Sequence, residues 1–309
     1  MSKLFDLKSA SALYDIAVLL GFTPSGLSYT LYKASDPEKY CKFQIPKRSG
    51  GVRDISAPTG ALKMLQRRLA DLLYDCQDEI TKANPRKPLS HGFRRSQSII
   101  DNAQKHKRRR YVLNLDLENF FPAFNFGRVR GFFIKNQDFS LNAKVATIVA
   151  QIACFENALP QGSPCSPVIA DMLAHILDVR LVSLAKKHKL TYSRYADDLT
   201  FSTNARAFPA ALAFRDTEEP GSNWSLGSDL VHVIERSGFT INPAKTRMQT
   251  RTGRQMVTGL TVNTKVNIPT YRRATRVLSE PCRMRFFGVG HTIVGCLFQT
   301  HQRRPSHSK

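Results

Sequence analysis

The sequence lacks the cysteine spacing of disulfide-rich and zinc-binding proteins. Its six cysteines stand far apart, and no two of them form a C-x-x-C pair. Both a zinc cluster and a disulfide framework depend on a recognisable pattern of closely spaced or paired cysteines. We therefore expect the cysteines to be reduced and mostly buried in the core.

Long hydrophobic runs are also missing. The longest nearly uncharged apolar run lies near residues 145–155 and is too short to span a bilayer. The N-terminal residues MSKLFDLKSA contain no hydrophobic core of a signal peptide. These two absences favour a cytoplasmic protein that does not act at a membrane.

Acidic residues are scarce relative to basic ones. Among 309 residues there are 24 Asp and Glu against 46 Lys and Arg, which gives a formal net charge of +22. The hydrophobic content of 42% still supports a folded chain with one large or two modest domains. A folded protein with this charge is expected to bind a polyanion, and nucleic acid is the favoured partner.

Hydrophobic periodicity predicts an α+β fold. Apolar residues at helical spacing predict helices over residues 62–80 and 168–187, and a basic helix is predicted over 91–110. The segment YVLNLDLENFF begins as a buried strand, and YCKFQIPKRSGGVRDISAP is typical of a hairpin with a basic tip.

The stretch YSRYADDLTFS carries two adjacent carboxylates, Asp197 and Asp198, between two alternating runs typical of strands. Aspartate is common in tight turns, so the pair could be only a turn. Alternatively, two neighbouring carboxylates near apolar residues indicate a hard cation that offsets their repulsion. The local sequence leaves both interpretations open.

A third carboxylate, Asp116, ends the predicted buried strand about 80 residues earlier. In an α+β arrangement, strand ends can bring these three carboxylates together. Oxygen ligands suit Mg²⁺, and two such ions can hold the attacking and leaving oxygens of a phosphoryl transfer. Together with the positive charge, this pattern favours nucleotidyl transfer.

Several motifs in one order resemble those of the reverse transcriptases. Between about Lys47 and Ile268 they are VRDISAP with LKMLQ behind it, HGF at residues 91–93, LDLENFFP, LPQGSPCSP, YADD, GFTINPAKT and VTGL. Two stretches narrow the resemblance to the retron reverse transcriptases. NAQKH at residues 102–106 fits their N-A-x-x-H, and residues 257–259 fit their late V-T-G.

The resemblance implies an α+β right-hand polymerase. N-terminal helices and fingers are expected over residues 1–110, and a palm over 111–265 with fingers elements around 125–165. A thumb is expected over 266–309. That thumb is expected to be reduced or divergent, because the segment after Pro269 is short and interrupted by proline and glycine.

The resemblance also implies an activity. The implied activity is RNA-directed DNA synthesis from dNTPs with two Mg²⁺ ions. The implied template is a cognate non-coding RNA (msr-msd), which also supplies the 2′-hydroxyl that primes synthesis. The implied product is multicopy single-stranded DNA (msDNA). A bacterial anti-phage role beside an effector protein is implied as well. Two alternatives stay open: a group II intron-like reverse transcriptase, and a catalytically idle RNA-binding protein with the same fold.

Roles for individual residues follow from the resemblance. The implied metal ligands are Asp116, Asp197 and Asp198, and Lys245 aligns with a lysine proposed to protonate the leaving pyrophosphate. For dNTP binding the resemblance implies Gln161, Gly162 and Phe121, with Phe121 as the bulky group that excludes a 2′-hydroxyl, or alternatively as core only. Lys47 and Arg53 are candidates for the triphosphate because ammonium and guanidinium groups match phosphate oxygens, or alternatively they form a solvated basic hairpin.

The two retron-specific stretches are the candidates for RNA recognition. On a helix Asn102 and His106 share one face, and amide and imidazole groups can read exposed bases. Alternatively, the pair only packs fingers against palm. The full candidate set is Asn102, His106, Arg108, Arg109, Arg110, Val257, Thr258 and Gly259.

Overall fold

The computed structural model describes residues 2–47, 50–85, 88–215 and 224–268. Within these ranges the chain combines ten α-helices with eleven β-strands, so the α+β class is confirmed. Of the thumb expected over 266–309, everything from residue 269 onward lies outside the described residues.

The elements follow one another in an order that mixes helices and strands. The helices are α1 (Lys3–Ser9), α2 (Leu13–Leu19), α3 (Pro24–Tyr32), α4 (Asp36–Lys39), α5 (Gly60–Ala83), α6 (Ile99–Gln104), α7 (Phe126–Lys135), α8 (Ala143–Ala153), α9 (Ser166–Lys187) and α10 (Ser228–Arg236), with a 3₁₀ turn at Pro243–Lys245. The strands are β1 (Tyr40–Pro46), β2 (Val52–Pro58), β3 (Tyr111–Glu118), β4 (Thr191–Tyr195), β5 (Asp198–Thr203), β6 (Ala213–Arg215), β7 (Trp224–Leu226), β8 (Thr240–Ile241), β9 (Arg247–Thr250), β10 (Met256–Val257) and β11 (Leu260–Thr261).

The two longest helices match the predicted periodicity. In α5 the buried residues Leu62, Leu65, Leu69 and Leu73 recur every three or four positions, so one stripe of the helix faces the core. The helix α9 is buried along most of its length, and Pro167 lies in its first turn, where a missing N–H costs little. In the described part of the chain no helix is long and apolar enough to cross a membrane.

The central sheet is built around β3. Antiparallel pairing joins β3 to β5, and β5 to β4, while β8 and β9 pair with the other edge of β3. Most side chains of β3 are buried, which agrees with the hydrophobic run YVLNLDL. The separate hairpin of β1 and β2 confirms the predicted hairpin.

The basic helix predicted over residues 91–110 is wrong for most of that range. Only α6 is helical, and residues 91–93 form a loop, here called the HGF loop. Backbone bonds hold the preceding chain against β4: Arg194 N–H donates to Leu89, His91 N–H donates to Arg194, and Ser90 forms a parallel bridge with Arg194. The positive φ angles of Phe93 (59°) and Ser96 (60°) are incompatible with a helix.

Candidate active site

Sheet register brings the three predicted carboxylates together. The pairing of β3 with β5 sets Asp116 directly opposite Asp198, and Asp197 lies in the turn that joins β4 to β5. The backbone N–H of Leu117 donates to the carbonyl of Asp197 at 3.0 Å, which ties that turn to the end of β3. Three carboxylates that are distant in sequence therefore meet at one end of the sheet.

The ammonium group of Lys245 is bound to Asp116. Its Nζ lies 2.8 Å from Oδ2 and 3.0 Å from Oδ1 of Asp116. Partial burial alone would lower the pKa of Lys245, but the hydrogen bonds and charge of Asp116 outweigh it and raise that pKa. Lys245 is thus charged, and its position is set by Asp116.

The charges of Asp197 and Asp198 are not offset by an ion pair within the described residues. Burial raises the pKa of Asp197, and the charge of Asp116 raises it further. Desolvation by the surrounding protein and the charges of Asp197 and Asp116 raise the pKa of Asp198, and the charge of Lys245 opposes this rise. A cation would relieve this repulsion.

The donor set fits a divalent cation. Three carboxylates supply only oxygen ligands, which is the chemistry that Mg²⁺ prefers. No three His, Cys, Asp or Glu side chains among the described residues are already arranged around a metal position. Lys245 contacts both oxygens of Asp116, so a cation that binds Asp116 would share these oxygens with the ammonium group or displace it.

A buried arginine that the sequence analysis missed supports the turn before Asp197. Arg194 is fully buried and its Nη1 donates to the carbonyl of Ala196 at 3.1 Å, while Ala196 has a φ of 56°. Arg194 also pairs with Asp178 at 2.7 Å and Asp171 at 3.0 Å. The two aspartates are seven residues apart in the sequence, which puts them on one face of α9. That spacing was the available sequence signal for a buried basic partner.

The HGF loop packs directly against the same turn. A Cβ atom at Gly92 would lie 2.4 Å from the backbone nitrogen of Ala196 and 3.0 Å from the carbonyl carbon of Tyr195. Such a distance is far below van der Waals contact, so only glycine fits beside the turn. Next along the chain, Arg94 pairs with Asp171 at 2.8 Å and fixes the end of the loop.

Two of the predicted nucleotide-binding residues belong to a loop that contacts the hairpin of β1 and β2. The carbonyl of Gln161 accepts from Ser56 N–H at 2.8 Å. Gly162 has a φ of 111°, and a Cβ there would lie 2.9 Å from Ile55 and 3.1 Å from the carbonyl of Ser56. The glycine thus allows the loop to reach β2, and its positive φ is one that other residues rarely adopt.

The remaining predicted nucleotide-binding residues differ in their surroundings. Lys47 and Arg53 are exposed on the hairpin, and the charge of Arg53 acts on Asp197 by lowering its pKa against the larger effect of burial. Phe120 is buried in the core, whereas Phe121 is half-buried. Of the two phenylalanines, Phe121 is therefore the one accessible to a ligand.

A cleft of about 800 Å³ lies beside the carboxylates. Asp116 and Asp198 line it together with Lys245, and the predicted RNA-binding residues Thr258 and Gly259 line the same cleft. Val257 is buried instead, in a small apolar cluster with Ala103. The Thr258 hydroxyl donates to the carbonyl of Ile99 at 3.3 Å, so the two retron-specific stretches pack on one another.

Direct RNA contact by Asn102 and His106 is contradicted by their burial. Both side chains are 0% exposed. The Ser193 hydroxyl donates to Asn102 Oδ1, so it accepts from His106 Nε2 at 2.7 Å, and Nδ1 accepts from the Ser202 hydroxyl at 2.7 Å. Asn102 lies in α6 and His106 follows two residues after its end, so the predicted shared helix face is wrong, but both side chains point into the sheet, which is the packing alternative.

The three arginines that follow lie closer to the surface. Arg108 is exposed and its Nε donates to the carbonyl of Thr264 at 3.2 Å. Arg109 is half-buried and donates to the Thr191 hydroxyl at 3.1 Å, and Arg110 is also half-buried. Arg108 is thus the most accessible of the three for a phosphate contact.

The environment of His106 predicts a pH dependence of stability. Burial, with the nearby charges of Arg109 and Lys105, lowers the pKa of His106 from 6.5 to about 3. Below pH 6.5 the imidazole of His106 binds a proton in the unfolded chain but not in the folded chain. The neutral ring therefore contributes fully to the free energy of unfolding above pH 6.5, and this contribution is lost as the pH falls towards 3. We expect His106 to account for a loss of about 2 kcal/mol between pH 7 and pH 5.

Urea unfolding at several pH values measures this contribution. The variant His106→Asn should show a flatter pH dependence than the wild type, because it lacks the titrating ring. His232→Asn is the matched control, since His232 is exposed. Equal pH slopes for the wild type and His106→Asn would contradict the prediction.

Comparison with known proteins places these observations in context. A family model described as reverse transcriptase (RNA-dependent DNA polymerase) matches residues 45–289. The retron Mx65 reverse transcriptase of Myxococcus xanthus is 36% identical over 82% of this chain, which spans only 58% of that relative. The retron Ec86 reverse transcriptase of Escherichia coli is 30% identical over 85% of this chain and 72% of its own length. A telomerase structure from Candida albicans, with a fragment of telomeric RNA, is 15% identical over 73% of this chain and 45% of its own, with a TM-score of 0.48.

Proposed function

Because this chain belongs to the reverse transcriptase family, and within it to the retron type, we propose that it is an RNA-directed DNA polymerase. The observation that carries the proposal is the convergence of Asp116, Asp197 and Asp198 at one end of the central sheet. Family membership also establishes the right-hand polymerase fold. The boundaries at residues 110 and 265 stay predictions.

In the proposed reaction the three carboxylates would hold two Mg²⁺ ions, in a family that generally uses divalent metal ions. When bound, the ions supply positive charge to the attacking and leaving oxygens of nucleotidyl transfer. Arg53 and Lys47 reach from the hairpin to the triphosphate, since guanidinium and ammonium groups match phosphate oxygens. Lys245 leaves Asp116 and protonates the pyrophosphate.

The proposed substrates are a cognate msr-msd RNA and dNTPs, and the product is msDNA primed from a 2′-hydroxyl of that RNA. The basic charge of +22 supports affinity for the RNA backbone. Thr258 and Gly259 at the cleft, and the exposed Arg108, are the leading candidates for contact with the RNA. We further propose cytoplasmic action in anti-phage defence beside an effector protein.

Two experiments test the proposal. Primer extension on an RNA template with dNTPs and Mg²⁺ should yield DNA, and the absence of product would favour the catalytically idle alternative. Sequencing of nucleic acid that co-purifies with the chain should recover a branched RNA–DNA molecule. A linear intron RNA in its place would favour the group II intron-like alternative.

The proposal predicts a sugar preference that depends on Phe121. We expect Phe121→Ala to admit ribonucleotides, because loss of the ring opens the space in which a 2′-hydroxyl would lie. The change in dNTP over rNTP preference is expected to be about 10–200-fold, the range for one apolar contact in a substrate pocket. Single-nucleotide incorporation with matched dNTP and rNTP measures it.

Phe132→Ala is the control for this experiment, since Phe132 is half-buried like Phe121 but lies on α7, where it packs on Phe133 and Phe139. That variant should keep the wild-type preference. An unchanged preference in Phe121→Ala would show that Phe121 is only a core residue.

A further inference from the structure

The HGF loop connects the catalytic turn to Phe121. At one end of the loop, Gly92 packs on the backbone of Tyr195 and Ala196, directly before Asp197. At the other end, the ring of Phe93 lies 5.8 Å from the ring of Phe121, at an interplanar angle of 40°. Two consecutive residues thus contact the metal-binding turn and the half-buried phenylalanine.

The backbone of Phe93 is held in a conformation that this residue type rarely adopts. Its φ is 59°, and a bulky residue in the left-handed region is a genuine outlier that persists only when its surroundings fix it. The surroundings here are the bond from His91 N–H to Arg194 and the ion pair of Arg94 with Asp171. These bonds direct the Phe93 ring towards Phe121.

Among the described residues, the ring of Phe121 has two aromatic neighbours. Phe120 lies 5.6 Å away at 67° and is itself fixed in the core by Phe124 and Phe239. Phe93 is the second neighbour, and it comes from a different segment of the chain. Without Phe93, the half-buried Phe121 ring would keep one aromatic neighbour and gain freedom to move away from the sugar.

We infer that Phe93 is a positioning residue for Phe121 and thereby sets the preference for deoxyribonucleotides over ribonucleotides. The inference rests on the proposed polymerase function and deepens it. Phe93 does not touch the nucleotide; it acts through the orientation of the Phe121 ring. The same loop that supports the catalytic turn therefore also supports sugar selection.

The informative variant is Phe93→Gly. Glycine adopts a positive φ at no steric cost, so the variant loses the ring while the loop keeps its path and the chain folds. Incorporation of single dNTPs and rNTPs on an RNA template, with kcat and KM determined separately, is the measurement. We expect the preference for dNTP over rNTP to fall by about tenfold, which is the upper end of the effect expected from the loss of one aromatic pair. The kcat for dNTP should stay nearly unchanged.

A double-mutant cycle separates positioning from a general effect on the structure. In the Phe121→Ala background, Phe93→Gly should cause no further loss of preference, because the ring it positions is gone. Phe93→Tyr keeps a ring and should restore the wild-type preference. An unchanged preference in Phe93→Gly, or an equal loss in both backgrounds, overturns the inference while the polymerase function stands. A wild-type chain that makes no DNA overturns both.

Discussion

Replacement of Asp197 by asparagine is expected to reduce the rate of DNA synthesis by roughly 1,000-fold or more. The affinity for RNA should stay within a few-fold of wild type. Asparagine keeps the size of the side chain but removes a charge from the group of three carboxylates. The cations then lose a ligand charge at the position where they stabilise the reacting oxygens. RNA affinity depends mainly on basic residues elsewhere, because phosphate contacts dominate it.

Primer extension and filter binding on the same preparations measure the two effects. Asp138→Asn is the matched control, because Asp138 is an exposed aspartate between α7 and α8. It should retain both activities. Near wild-type incorporation by Asp197→Asn would refute the carboxylate assignment, and a parallel loss of RNA binding would show a general folding defect.

The second large loss of DNA synthesis is expected from Gly92→Ala, a substitution that adds only one methyl group. The added methyl group would lie 2.4 Å from the backbone nitrogen of Ala196, so the loop or the turn before Asp197 has to shift. A displacement of about 1 Å in a catalytic group can cost about 100-fold in rate, and we expect a loss of at least that order. Overpacking should also lower the free energy of unfolding by about 1–3 kcal/mol.

Gly131→Ala is the matched control for this experiment. Gly131 lies inside α7, and a Cβ there would meet no atom within 4 Å among the described residues. Alanine should raise the free energy of unfolding by about 0.5–1 kcal/mol and leave DNA synthesis unchanged. Full activity of Gly92→Ala at a temperature where the variant is folded would contradict the close packing of the HGF loop.

The sequence predicted those parts of the fold whose signal is local. Periodicity located α5 and α9 within a few residues, because each buries a continuous stripe or is buried along most of its length. The hairpin of β1 and β2 and the turn that carries Asp197 were also predicted, since alternating runs flank them. The helix over residues 91–110 was wrong outside α6, because contacts with β4 hold the chain at residues 89–91, and Phe93 and Ser96 take a left-handed backbone.

The candidate site shows the same limit. Asn102 and His106 are close together because both bind Ser193, although His106 lies beyond the end of α6, and sequence spacing does not say whether such a pair points to solvent or to the core. Their partners Ser193 and Ser202 lie about 90 residues away in sequence. Arg194 was missed for a related reason: an arginine is expected at the surface unless its carboxylate partners are known, and these belong to another element.

The parallel bridge between Ser90 and Arg194 joins the regions on either side of the predicted boundary at residue 110. Through it, a segment N-terminal to residue 110 becomes an extra edge of the sheet that carries Asp197. A fragment that starts at β3 would leave the backbone of Arg194 without these partners and the catalytic turn without Gly92. The two regions should therefore unfold in a single cooperative transition. The predicted boundary at residue 110 should not appear as a separate step in unfolding.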